Sequence, residues 1–198
     1  NQIYIFKEYT FEGFENDQPL VIDVGACKGE FIEALAQQFP EKNYIVFEIR
    51  VPLARKLEAH FQKYPNIRVF DGDAGRNFSS ILGPSLERGV EVETVYVNFP
   101  DPWFKAKHKK RRFINPTFLA SVATYLPLST EFVFQTDQEF LFRETQEVLT
   151  HSPYNQMEIF DHPPFGVRTD WEKAKVAEGL PIWRMRFWRA QDNEIQAL

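Results

Sequence analysis

One segment concentrates residues that can do chemistry. In Asn98-Phe99-Pro100-Asp101-Pro102-Trp103-Phe104-Lys105 a carboxylate stands between two prolines, followed at once by aromatics and a cation. Proline fixes φ and removes a backbone donor, so Asp101 sits in a chain that cannot extend a strand. An ordinary loop would offer glycine and serine there. Lys105 to Arg112 (KAKHKKRR) then carries six Lys or Arg. The whole chain has 23 basic and 28 acidic residues, net −5; without that segment 17 basic face 28 acidic, net −11. A polyanion repelled by most of the protein would dock at this one place and in one orientation. Short basic runs are often only solvated loops; the Pro-Asp-Pro-Trp neighbourhood favours a binding role here.

A second set of residues points to a small ligand. Asp23 and Gly25 close an apolar run, Glu48 closes another 25 positions later, and Asp73 follows a third. In a doubly wound sheet, ligands sit beyond the carboxyl ends of the strands, where these residues fall. A carboxylate ending the second strand can accept both ribose hydroxyls of an adenosine. The small turn Gly25-Ala26-Cys27-Lys28-Gly29 lets a ligand approach the backbone. Dinucleotide binding asks for G-x-G-x-x-G, which brings a pyrophosphate to a helix N-terminus. Here Cys27 holds the middle position and Glu30 the last, where a carboxylate faces phosphates badly. S-adenosylmethionine has no phosphates and carries a sulfonium and an ammonium, so an acid-lined turn suits it better. The structural alternative makes Asp23 a helix cap and Glu48 a solvated loop residue.

These positions require particular elements. Leu20–Val24 reads as a buried strand and Lys28–Phe39 as an amphipathic helix stopped by Pro40. Tyr44–Ile49 is a second strand, Val51–Tyr64 a helix with Leu53, Leu57 and Phe61 on one face, and Ile67–Phe70 a third strand. A short helix is expected around Phe78–Leu82 and a fourth strand over Val92–Val97. Asn115, a good N-cap, and Pro116 at the first helical position start a helix to Tyr125. Glu131–Gln135 is a strand, Asp137–Leu149 a helix capped by Asp137 or Thr136, and Asp161–Gly166 a loop. Ile182–Trp188 alternates as an amphipathic strand, expected to pair antiparallel with one near Met157–Phe160. The alternation gives an α/β fold: a mostly parallel twisted sheet with helices on both faces and a C-terminal antiparallel strand.

Composition sets the outer bounds. A chain of 198 residues with 43% hydrophobic and 26% charged residues has a real core and is not disordered as a whole. Residues 1–19 read as a lead-in with a turn at Glu12-Gly13, and 20–198 as a single domain. Phenylalanine, with 20 copies, should dominate the core. One cysteine excludes a disulfide framework and fits a reducing, cytoplasmic compartment. No apolar run reaches membrane-spanning length, so no membrane partner is expected. The start, NQIYIFKEYT, lacks the pattern of a signal peptide and has no initiator Met, which leaves room for residues upstream. His60, His108, His151 and His162 show no ligand spacing, so no metal is expected. Cys27 reads as a small turn residue rather than a nucleophile, and Trp103 and Phe104 as either base-stacking or packing aromatics.

The motif NFPDPWFKAKHKKRRF closely resembles the signature of the tRNA (guanine-N7)-methyltransferase family. Further elements match in order: DVGACKG at Asp23–Gly29, Phe47-Glu48, Asp73-Ala74, Thr136-Asp137 and Arg168-Thr169-Asp170-Trp171-Glu172. The likeness covers roughly residues 20–189. It implies a Rossmann-like class I methyltransferase that transfers methyl from S-adenosylmethionine to N7 of a tRNA guanosine, in the variable loop at position 46. It implies that Asp23, Gly25, Glu48, Asp73 and Asp101 contact the cofactor and that Asp101 is the essential acid beside the reacting groups. Lys105 and Asp137 would hold the guanosine, with Thr169, Asp170, Trp171 and Glu172 closing over it. Lys107, His108, Lys109, Lys110, Arg111 and Arg112 would meet tRNA phosphates. The partner would be tRNA, and the protein a monomer or homodimer. The family usually has Gly at Cys27, His or Lys at Phe104, and Lys-Phe at Asp170-Trp171. A tRNA-binding module of the same fold without catalysis and, on weaker grounds, a nicotinamide oxidoreductase are the alternatives.

Overall fold

Short runs rich in β-branched and aromatic residues alternate along the chain with stretches of helical periodicity, and the computed structural model shows both. It describes residues 9–190; the first eight residues of the expected lead-in and the last eight of the chain lie outside the described residues. In order, the elements are β1 Leu20–Val24, α1 Glu30–Gln38, β2 Asn43–Glu48, α2 Val51–Phe61, β3 Ile67–Asp71, α3 Ala74–Glu87, β4 Val92–Asn98, α4 Pro116–Val122, β5 Glu131–Thr136, α5 Glu139–Thr150, β6 Gln156–Ile159, α6 Asp170–Ala177 and β7 Trp183–Trp188. The strands form a mixed sheet in the order β3-β2-β1-β4-β5-β7-β6, a Rossmann-like α/β arrangement. The chain divides between Tyr96 and Val97, within β4, into two compact units.

In the first unit β1, β2 and β3 pair in parallel, with Val24 opposite Phe47 and Glu48 opposite Asp71. All six residues of β2 are buried, as a parallel strand covered on both faces requires. Helix α1 turns Phe31, Ile32, Leu35 and Ala36 inward, and α2 turns Ala54, Leu57 and Phe61. Phe47 of β2 stacks on Phe78 of α3 with centroids 5.3 Å apart. Helix α3 is far longer than the short helix expected around Phe78–Leu82, and it runs through Gly83 and Pro84. A proline inside a helix costs about 3 kcal/mol. Full burial of Phe78, Ile81 and Leu82 outweighs it. The lead-in is tied down by Arg88, which donates to the carbonyls of Glu12 and Phe14, both at 2.9 Å, and to Asp17 Oδ1 at 3.1 Å. Gly13, between those carbonyls, takes the left-handed φ of +89° that the expected turn needs.

In the second unit β7 pairs antiparallel with β6, as its sequence pattern suggests, and also with β5. Phe132 and Phe187 stack at 5.1 Å across β5 and β7, with the edge of Tyr154 against Phe132. Asn115 caps α4 by accepting from the Phe118 amide at 3.0 Å, and Pro116 opens the helix. Helix α5 starts at Glu139 rather than Asp137. Thr136 Oγ1 accepts the Gln138 amide at 3.1 Å, and that local bond delays the helix. Three elements were not foreseen: 3-10 turns over Ala106–Arg111, inside the basic segment, and over Pro164–Gly166, in the expected loop, and helix α6. Among the described residues, no helix is long and apolar enough to cross a membrane.

Candidate active site

The β1–α1 turn of the first unit is built from left-handed residues at alternate positions: Gly25 (φ +82°), Cys27 (+53°) and Gly29 (+82°). The amides of Gly25 and Ala26 donate to the Phe47 carbonyl at 2.7 and 3.3 Å, which pins the turn to the end of β2. A Cβ added at Gly29 would lie 2.7 Å from Leu57 Cδ2 and 2.8 Å from Phe61, so glycine lets α1 press against α2. A Cβ at Gly25 would meet nothing within 4 Å. The turn is closed by packing at one end and open to a ligand at the other.

Glu48, the last residue of β2, is 1% exposed, unlike a solvated loop residue. Its Oε1 accepts from the Arg50 amide and Nε, both at 2.9 Å, and its Oε2 from Arg50 Nη2 at 3.0 Å and the Cys27 amide at 3.2 Å. The bond to Glu48 is the main cause of an Arg50 pKa above its ordinary value. Asp23 is buried in β1. Asp73 precedes α3 without capping it through its side chain, and its carboxylate is approached by Arg76 Nε only at 3.9 Å. For S-adenosylmethionine, the open face at Gly25 and the accessible carboxylate of Asp73 fit directly. Both oxygens of Glu48 are engaged by Arg50 and the Cys27 amide. The sequence reading missed Arg50, although its place two residues after Glu48 was a signal.

In the second unit the segment from Phe99 to Phe104 leaves the end of β4. Phe99 (φ +50°) and Trp103 (+47°) are both left-handed, a conformation that costs L-residues about 1–2 kcal/mol each. Between them the prolines hold Asp101 exposed to solvent. Asp101 and Lys105 line one cleft of about 330 Å³ with Pro102, Trp103, Phe104 and His108. Trp103 is half-buried, with His108 edge-on at 5.5 Å and the Arg111 guanidinium 5.1 Å over its ring. Phe104 is 71% exposed, with its ring centroid 5.5 Å from that of Phe140.

The basic segment does not act as a uniform surface. Lys107, Lys109, Lys110 and Arg111 are exposed, and Lys109 lies 3.5 Å from Glu144 of α5. Arg112, expected among the phosphate contacts, is turned inward and is 7% exposed. Its Nε donates to the Pro102 carbonyl at 2.9 Å and its Nη2 approaches that of Trp103 at 3.4 Å, while Nη1 pairs with Glu144. Burial lowers its pKa. Arg112 therefore braces the Asp101 loop, and a cavity of about 390 Å³ lies between the basic turn and α5.

Asp137 is half-buried in the turn between β5 and α5. Thr169 caps α6 by accepting the Glu172 amide at 3.0 Å. Trp171 is 53% exposed, with Lys175 Nζ 4.7 Å from its ring centroid, and Asp170 approaches Lys173 at 3.3 Å. Glu172 is 0% exposed and paired with Arg184 at 2.6 Å. Thr169-x-x-Glu172 is the pattern of a helix capping box, the signal that would have revealed α6.

A family model described as "Putative methyltransferase" matches residues 17–185. The chain is 36% identical to the tRNA (guanine-N(7)-)-methyltransferase of Exiguobacterium sibiricum over 199 residues, covering 93% of this chain and 90% of that protein. It is 36% identical to the protein of the same name from Listeria monocytogenes, covering 91% of this chain and 85% of that one. Among solved structures, the 16S rRNA methyltransferase KamB matches with a TM-score of 0.59 at 11% identity, over 87% of this chain and 88% of that one. Human methyltransferase-like protein 13, solved in complex with SAH, matches with a TM-score of 0.56 at 14% identity, over 89% and 73%. At such identities these two establish the fold alone.

Proposed function

Because the chain belongs to the tRNA (guanine-N7)-methyltransferase family, we propose that it transfers a methyl group from S-adenosylmethionine to N7 of a tRNA guanosine, forming 7-methylguanosine. The observation that carries the reading is Asp101, proline-locked and exposed in a cleft it shares with Lys105, in the loop that Arg112 braces.

Guanine N7 carries a lone pair that is unprotonated at neutral pH, so no residue is needed to create the nucleophile. S-adenosylmethionine, when bound, would supply a sulfonium methyl carbon to which N7 bonds in line as the carbon–sulfur bond breaks, with S-adenosylhomocysteine leaving as the neutral thioether. The protein's share is positioning and electrostatics. In the first unit Gly25 gives the donor access to the backbone, and Asp23, Glu48 and Asp73 supply acceptors for its hydroxyls and ammonium. In the second unit Asp101 stabilises the positive charge that develops on the purine. Lys105 and Asp137 orient the guanosine, and residues Thr169 to Glu172 close over it. The target base must leave its tertiary contacts in the tRNA, as in other base-modifying enzymes, and Phe104 offers it a stacking face. Lys107, Lys109, Lys110 and Arg111 hold phosphates. The site of action is the cytoplasm, and the protein works as a monomer or homodimer.

The test is incubation of the full chain with unmodified tRNA and methyl-labelled donor, followed by nucleoside analysis. Label in 7-methylguanosine is expected. Donor and tRNA binding without transfer would leave a tRNA-binding module instead.

A further inference from the structure

A buried polar chain in the second unit ends at Glu172, and its members Arg184, Gln135 and Asn98 have no role in the chemistry above. Arg184 of β7 and Gln135 of β5 face each other in the sheet, and both are buried. Arg184 Nε donates to Gln135 Oε1 at 2.8 Å, Nη1 to the Asp161 carbonyl at 2.9 Å and Nη2 to Glu172 Oε1 at 2.6 Å. Gln135 Nε2 donates onward to Asn98 Oδ1 at 2.6 Å. The Gln135 carbonyl accepts the Phe99 amide at 2.8 Å. The chain thus runs unbroken from α6 to the first left-handed residue of the Asp101 loop.

The network ends in an unmet demand. Arg168 Nε also addresses Glu172 Oε1, at 3.3 Å. Glu172 Oε2 is buried and has no hydrogen-bond partner among the described residues. A buried acceptor left open is unfavourable. Arg184 cannot swing to cover it, because three acceptors fix its guanidinium. Such an oxygen suits an N–H donor brought by a ligand. The Watson–Crick edge of guanine has such donors at N1 and N2, whereas adenine presents an acceptor at N1.

We infer that Arg184 and Gln135 are positioning residues. They hold Glu172 with Oε2 turned to the guanine edge, and through Asn98 and Phe99 they fix the root of the loop that carries Asp101. One network then sets both the base-reading carboxylate and the acid beside the reacting groups. This role rests on the methyl transfer proposed above.

The experiment compares the full chain with Arg184→Lys, Gln135→Met, Glu172→Gln and the Arg184→Lys/Glu172→Gln double variant. It measures tRNA methylation kinetics, donor Kd by calorimetry and Tm. Arg184→Lys and Gln135→Met are each expected to lower kcat at saturating tRNA and donor at least tenfold, with donor Kd within twofold of the unaltered chain. In the Glu172→Gln background, Arg184→Lys should add less than threefold, because both changes undo one arrangement. A lowered Tm with unchanged kcat, or a donor Kd that weakens in step with kcat, would overturn the role. Should Arg184→Lys fail to fold, Gln135→Met decides by the same two readouts. An unaltered chain that forms no 7-methylguanosine overturns the proposed function and this role with it. An active chain whose variants match it overturns this role alone.

Discussion

Adjacent arginines at the end of the basic segment should have opposite effects when replaced. Arg112 is buried, bonded to the Pro102 carbonyl and paired with Glu144, and its guanidinium lies 5.3 Å over Phe140. Arg111 is exposed above Trp103. In Arg112→Met, the thioether retains much of the packing over Phe140 but loses the charge-assisted bond, about 1.5–3 kcal/mol. Glu144 is 34% exposed and keeps much of its water, so the lost ion pair adds at most about 1 kcal/mol. The total of about 2–4 kcal/mol corresponds to a Tm lowered by about 5–15 °C in a chain of this size. The loop should loosen, and kcat should fall. Arg111→Met should leave Tm nearly unchanged, weaken tRNA binding, and reduce the slope of log K against log salt by about one phosphate contact. Calorimetric melting and filter binding across a salt series measure both. If Arg112→Met melts like the unaltered chain and flattens the salt slope as Arg111→Met does, the assignment of Arg112 to the loop is wrong.

Asp101→Ala should retain tRNA binding and lose nearly all methyl transfer; unaltered turnover would remove Asp101 from the mechanism. Cys27→Gly should raise stability by about 0.5–1 kcal/mol, since relief of a left-handed L-residue exceeds the entropy glycine loses on folding. Urea denaturation reads this, and a lower midpoint would contradict it. Tyr154 is buried with no hydrogen-bond partner for its hydroxyl among the described residues, and burial pushes its pKa from 10.0 up to about 12. A raised folded pKa means stability that is complete below pH ~10 and is lost as pH rises towards ~12. Tyr154→Phe should therefore gain about 1 kcal/mol at neutral pH and show a shallower alkaline fall. An unchanged alkaline profile in denaturant titrations would refute that account.

Much of the architecture could be read from the sequence because parallel strands declare themselves. LVIDV and the run ending at Glu48 are too apolar for anything but buried strands, and their terminal acids then have to fall at the carboxyl rim. Periodicity could not separate residues that share a pattern but not a neighbour. Arg184 and Arg186 are two apart on β7 and so share a face, yet one is buried against Glu172 and the other is exposed beside Glu158. What makes them different are the partners around Arg184: Gln135 of β5, the Asp161 carbonyl and Glu172 of α6. The same holds for Arg111 and Arg112, which a 3-10 turn sends in different directions. Helix α3 runs well beyond the expected Phe78–Leu82, through a Gly83-Pro84 pair that would ordinarily stop a helix, because burial of its apolar face overrides that signal. The capping pair Thr169 and Glu172 was legible, but the Glu172 side chain serves an ion pair rather than the cap.

The three small residues of the first turn do not have equal evolutionary latitude. Gly29 abuts Leu57 and Phe61, so any heavier replacement there must first rearrange two helices. Cys27 is exposed and its side chain interacts with Arg50, so it can drift at the cost of its conformation and that one polar contact. A departure from the family's customary glycine therefore occurs where the scaffold can absorb it, and descendants of this chain should vary at 27 long before they vary at 29.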